Sequence, residues 1–192
     1  MLFSSSLLFA WVISRLFNTF SNNRWFRLIL LVVAYALSLV PIQGTLIAEY
    51  IQGYFGYLSI PSIVCILLSF LSGVSLQPML KQREKRVAFL LIVSAGCFLY
   101  PFTMGLSLFD PYALGYRPMG LGIALCATAL FAWWLEKYVI MITILLCITL
   151  FMLRVGESWN LWDYLIDPLI FFYAIFWLVT QMVLRHKVQQ NA

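Results

Sequence analysis

Histidine is nearly missing from this chain of 192 residues: the only one, His186, lies close to the C-terminus. Histidine-based catalysis in the loops, bis-histidine haem ligation and histidine-containing zinc sites inside the apolar runs are therefore excluded. Charge is scarce as well, at 10% of residues where a soluble domain carries about 25%. No Asp, Glu, Lys or Arg falls near the middle of a long apolar run, which argues against proton relays and ion-coupled transport. The four cysteines, Cys65, Cys97, Cys126 and Cys147, each sit singly in a separate apolar run, with no C-x-x-C and no zinc spacing. They read as small buried hydrophobes, and neither a metal nor a cofactor is expected. There is no P-loop or other glycine-rich nucleotide motif. Ser69, Ser72 and Ser75 have no His or Lys placed to serve as base, so an intramembrane serine protease is disfavoured. No internal repeat of the kind found in many secondary transporters is present.

What the chain has in abundance is apolar surface. Hydrophobic residues make up 64%, and the mean hydropathy of +0.96 points to the bilayer as solvent. Splitting the sequence at charge clusters and at Pro, Gly and Asp turns leaves apolar runs at about 2–20, 26–43, 57–76, 87–104, 119–135, 138–153 and 164–184. Continuous runs of this length suit helices rather than the alternating strands of a barrel. The expected fold is an all-α polytopic membrane bundle of six or seven transmembrane helices, forming one integral membrane domain over residues 1–192.

Orientation follows from charge. Arg15, Arg24 and Arg27, then Lys81, Arg83, Lys85 and Arg86, then Lys137, then Arg185 and Lys187 fall on one side of the zigzag; Glu49, Asp110, Glu157, Asp163 and Asp167 fall on the other. By the positive-inside rule the basic turns are cytoplasmic, which makes a seven-span chain N-out and C-in. The first run is the uncertain one: Arg15 interrupts it and Ser4, Ser5 and Ser6 weaken its start, so the alternative is an interfacial segment followed by six spans. Residues 45–56 (TLIAEYIQGYFG) read as a short helix in the outer interface, and 185–192 as a cytoplasmic tail. The short apolar N-terminus lacks a basic region and a small-residue cleavage site, so it is expected to remain in the mature protein. Short loops with basic inner turns fit a bacterial cytoplasmic (inner) membrane. The pI of about 9.1 comes from these clusters and implies contact with anionic headgroups, not with nucleic acid.

The acids and aromatics of the outer loops are the only constellation worth weighing as a site. The second loop carries Asp110, Tyr112, Tyr116 and Arg117; the third carries Arg154, Glu157, Trp159, Trp162, Asp163, Tyr164 and Asp167. Such residues supply acceptors, a general acid and base, and rings that stack on sugars. Equally, amphipathic rings gather at membrane interfaces for their own sake, and loop acids can be merely solvated. Asp167-Pro168 reads as a helix cap followed by the first helical residue, and Asp110-Pro111 as a turn that Gly115 closes. Asp163 and Asp167, four apart, would repel, so Arg117 or Arg154 is expected to pair with one of them.

Gly120, Ala124 and Thr128 form a stripe at four-residue spacing, with Ser69 and Gly73 a similar pair; both suggest close helix packing. Pro61 and Pro101 lie inside apolar runs as candidate kinks. No catalytic motif rises above background. The leading expectation is a non-catalytic accessory or assembly subunit of a cell-envelope enzyme or transporter, with the bilayer and an integral membrane protein as partners. The alternatives are an enzyme or binding protein for lipid-linked glycan or phospholipid headgroups at the outer leaflet, and a small-solute or lipid transporter.

Overall fold

The computed structural model describes residues 2–17, 23–75, 77–106 and 108–190. Among the described residues the regular structure is helical apart from one hairpin of two-residue strands, and the chain divides into two compact units, 1–80 and 81–192.

The first unit holds α1 (Leu2–Phe17), α2 (Arg24–Ser38), the hairpin β1 (Pro41–Ile42) and β2 (Thr45–Leu46), α3 (Ile47–Phe55) and α4 (Ile60–Ser75). Helix α2 starts where the Asn23 side chain accepts from the Trp25 amide, and stops at Leu39. The run expected to continue to residue 43 ends there because Pro41 follows and Gln43-Gly44 takes the doubly left-handed path of a tight hairpin, φ 54° and 87°. The helix expected over 45–56 is present as α3, with the Glu49 carboxylate accepting from the Leu46 amide at 2.8 Å. Pro61 is the second residue of α4, where a missing N–H is tolerated, so it starts a helix rather than kinking one.

Serine and alanine dominate the interior of this unit, beside Leu7, Leu58 and Ile66. Ser4, Ser5, Ser6, Ala10 and Ser14 of α1 are buried, as are Ala34 and Ser38 of α2, Ala48 of α3, and Ser59 and Ser62. Small side chains let α1 lie close against α2, α3 and α4. The three serines that weaken the hydropathy of the first run thus face protein. Ser14 and Ser38 return their hydroxyls to their own helices, at 2.8 Å to the Trp11 carbonyl and 2.6 Å to the Tyr35 carbonyl.

The second unit holds α5 (Gln82–Pro101), α6 (Pro118–Trp134), α7 (Tyr138–Met152), the single turn α8 (Trp162–Leu165) and α9 (Pro168–Gln190). Helix α5 packs on α9 and α6 on α7. The basic residues from Arg83 to Arg86, expected in a loop, lie in the first turns of α5. Past Pro101 the chain continues as a π-turn, Phe102–Leu106, broken at Gly105 (φ 88°). In the α5–α9 seam Phe89, 1% exposed, meets Tyr173 and Trp177 edge-on at 5.6 and 5.2 Å between ring centres. Lys85 lays its ammonium over all three rings, closest to Trp177 at 4.9 Å. Farther along, Gly96 faces the Phe171 ring so closely that a Cβ would overlap it. Next to Lys85 in the chain, Glu84 accepts from the Val139 amide at 3.2 Å and so ties the start of α5 to the start of α7.

Among the described residues two helical stretches, Gln82–Gly105 and Pro168–His186, are long and apolar enough to cross a membrane. At 1.5 Å per residue they reach about 36 and 28 Å. Leu2–Phe17, Ile60–Ser75, Pro118–Trp134 and Tyr138–Met152 are apolar but shorter.

Candidate functional site

Two connections of the second unit, α5 to α6 and α7 to α9, carry most of the polar candidates. Asp110 opens the first: its carboxylate accepts from the Tyr112 amide at 2.9 Å, Pro111 begins a 3₁₀ turn, and Gly115 ends it. The second connection lies against that turn through Asn160, which is fully buried. Its amide nitrogen donates to the Tyr112 carbonyl at 2.9 Å and its Oδ1 accepts from the Trp162 amide at 2.9 Å. Beside it the Leu161 amide donates to the Gly115 carbonyl at 3.1 Å, and the Trp162 indole to the Pro111 carbonyl at 2.9 Å. Backbone groups that a loop would otherwise leave to water are thus paired inside the protein.

Asp163 binds across the same junction. The Tyr112 hydroxyl donates to its two oxygens at 3.0 and 2.9 Å, and the Ser158 hydroxyl donates to Oδ2. Burial, and then the bond to the Asp163 carboxylate, hold the Tyr112 phenol above its ordinary ionisation range. Because folding disfavours the phenolate, this stabilisation is complete below the ordinary tyrosine value of about pH 10 and is lost as pH rises through the higher folded value. Thermal melting above about pH 10 should accordingly fall more steeply for the wild type than for Tyr112→Phe; parallel curves would show that Tyr112 titrates like a free phenol.

Tyr164 and Asp167 anchor the other side. The Gly156 amide donates to the Tyr164 hydroxyl at 2.9 Å, and the Cys147 thiol lies 3.3 Å from the Tyr164 carbonyl. Asp167, 5% exposed, accepts from the Ile170 amide at 2.9 Å and caps α9 ahead of Pro168. Asp167→Ala should lower stability by about 1 kcal/mol with any function retained once folded, read by thermal melting in detergent. An unchanged melt would remove the cap from the account.

The eight sequence candidates therefore divide. Asp110, Trp162, Asp163 and Asp167 bind the junction or its helices, while Arg117, Arg154, Glu157 and Trp159 are exposed. The expected ion pair is replaced by stacking: the Arg154 guanidinium lies 4.3 Å from the Trp159 ring centre and 4.6 Å from that of Phe151. Among the described residues neither Arg117 nor Arg154 pairs with Asp163 or Asp167, because those carboxylates already accept from Tyr112, Ser158 and the α9 amide.

The packing candidates are used differently from a close-contact stripe. A Cβ added at Gly73 or Gly120 would meet nothing within 4 Å. Gly120 and Ala124 are exposed, and the Thr128 hydroxyl returns to the Ala124 carbonyl at 2.8 Å. Ser69 accepts from the Trp11 indole at 3.1 Å and from Arg15 at 2.8 Å, and the Gly73 carbonyl accepts from Arg27 at 2.9 Å.

Sequence reasoning missed Asn160 and Gly115 as partners. A lone Asn between two tryptophans, in WNLW, was the available signal. Among the described residues no group of three or more His, Cys, Asp or Glu is placed to hold a metal ion. A groove of about 440 Å³ lies away from this junction, between α6 and α7, lined by Cys126, Ala129, Leu130, Trp133, Tyr138 and other apolar groups. Comparison with family models, curated proteins and solved structures finds no match.

Proposed function

We propose that this chain is a multi-pass protein of a bacterial inner membrane, with six or seven spans and a cytoplasmic C-terminus, and that it acts as a non-catalytic accessory or assembly subunit. The observation that carries the role is the employment of the loop polar groups. Asp110, Asn160, Trp162, Asp163 and Asp167 hydrogen-bond to neighbouring protein groups, so the polar residues of these two connections serve as a brace. A hydrolytic or transfer site needs acids and donors converging on a reacting atom. The membrane reading is supported by side chains that a soluble fold would cover: Met119 is 81% exposed, Ile123 67%, Phe172 66% and Phe176 71%. Helices of 15 to 17 residues cross with little tilt or with local thinning.

The exposed Arg154–Trp159 stack favours a second reading. A guanidinium on an indole is a platform for a lipid-linked sugar or phospholipid headgroup at the outer leaflet. Purifying the tagged protein in mild detergent at native expression, with mass spectrometry of co-purifying proteins and lipids, separates the two. The accessory role predicts a stoichiometric integral membrane partner. A retained glycolipid without a protein partner would replace it with the headgroup reading.

A further inference from the structure

A groove of about 440 Å³ runs between α6 and α7, with Cys126, Ala129 and Trp133 on one wall and Tyr138, Met141 and Leu145 on the other. Its lining is almost wholly apolar, and its volume is that of a ligand cleft. Between Trp133 and Cys126 it follows α6 for about 10 Å. A helix, about 10 Å across with its side chains, needs a longer face to pack. An extended hydrocarbon chain fits, with the buried Ala129 as floor and the exposed Trp133 and Tyr138 as sides.

One end of the groove is polar, and the fold fixes it. Helix α6 closes with two paired amides: that of Glu136, left-handed at φ 57°, donates to the Trp133 carbonyl at 2.9 Å, and that of Lys137 to the Ala132 carbonyl at 2.8 Å. Helix α7 begins at the next residue, Tyr138. Lys137 therefore stands in the tight turn between Trp133 and Tyr138, the two rings at this end of the groove. Their indole N–H and phenol O–H are donors of the kind that gather where a phospholipid has its ester carbonyls. Positive charge is also in excess here. The bond from the Val139 amide to Glu84 brings the first turns of α5 to the start of α7, so that Lys81, Arg83, Lys85, Arg86 and Lys137 outnumber Glu84 and Glu136. An apolar cleft that ends at basic side chains is complementary to an acyl chain carrying an anionic headgroup.

We propose that the α6–α7 groove binds one acyl chain of an anionic phospholipid whose phosphate is held at Lys137. The groove and its charged end stand on the geometry; placing the lipid in the inner leaflet rests on the membrane reading above.

The test follows alkylation of the native cysteines by N-ethylmaleimide in the full chain, delipidated in detergent, with peptide mass spectrometry as readout. Cys126 lines the groove, and Cys97, exposed on α5, is the reference within the same molecule. Phosphatidylglycerol is expected to slow Cys126 at about fivefold lower concentration than phosphatidylcholine and to leave Cys97 unchanged. In Lys137→Gln the half-saturating concentration of phosphatidylglycerol should rise about fivefold, the effect of one lysine near an anionic headgroup, and in Arg24→Gln it should stay as in wild type. Equal slowing by phosphatidylcholine, or equal loss in Arg24→Gln, would overturn the headgroup assignment. Unchanged alkylation of Cys126, or equal slowing of Cys97, would overturn the groove as a lipid site. Protection of Cys126 without lipid, lost on dilution, would show that a second copy of the chain covers the groove, and would also overturn it. Release of the chain from membranes by alkaline carbonate would sink the membrane reading alone, and the alkylation rates would still decide the groove.

Discussion

Gly115→Ala is expected to destabilise the second unit by about 4 kcal/mol. A methyl group at this position would lie 1.7 Å from Asn160 Oδ1 and 2.7 Å from its Cγ. The overlap is with a fully buried amide, not with the end of a mobile chain, so Asn160 must leave its place. Its bonds to the Tyr112 carbonyl and the Trp162 amide go with it, and each buried group left without a partner costs about 1–3 kcal/mol. The effect should be strongly non-additive. In an Asn160→Ala background the added methyl still meets the Trp162 ring, 2.8 Å away, but no amide, so Gly115→Ala should then cost about 2 kcal/mol, clearly less than in the wild type. Thermal melts of the four proteins of this cycle provide the check. Additive losses would mean that the two loops are not joined through this pair.

Phe89→Ala is expected to cost about 2–4 kcal/mol and to loosen the α5–α9 seam. In a bilayer the transfer of the ring from water contributes little, because lipid is as apolar as the protein interior. What remains is the cavity and the lost edge contacts with Tyr173 and Trp177. Lys85 loses one of its three rings in the same step. Phe89→Leu fills part of the space and should recover about half of the loss. If Phe89→Ala melted like wild type, the seam would be lipid-facing and not a packed interface.

Some of this was legible in the residues and some was not. The turn at Asp110-Pro111, closed by Gly115, and the cap at Asp167-Pro168 could be read because short polar side chains and proline act on the backbone within a few residues. Helix positions followed from apolar runs, but ends did not: α2 yields to a hairpin at Pro41, and α5 extends back over Arg83 to Arg86 because helical pairing outlasts hydrophobicity. The site was the least legible part. Asp163 and Trp162 were visible as candidates, yet their partners lie about fifty residues away, at Tyr112 and Pro111, and one sequence carries no sign of such long-range pairing. The serine interior of the first unit was read as a weak span for the same reason: hydropathy registers polarity, not whether a hydroxyl has a neighbouring helix to face.

The most direct test of the multi-pass account is the accessibility of single cysteines, introduced after the four native ones are replaced by alanine, to a membrane-impermeant maleimide in intact cells. Leu108→Cys and Val155→Cys occupy exposed positions in the two braced connections, and Gln77→Cys and Arg185→Cys occupy exposed positions beside basic clusters. The account predicts labelling of the first two from outside, and of the other two only after the membrane is opened. Labelling of Leu108→Cys and Val155→Cys on opposite sides would contradict it, because loops hydrogen-bonded through Asn160 must share one side of the membrane.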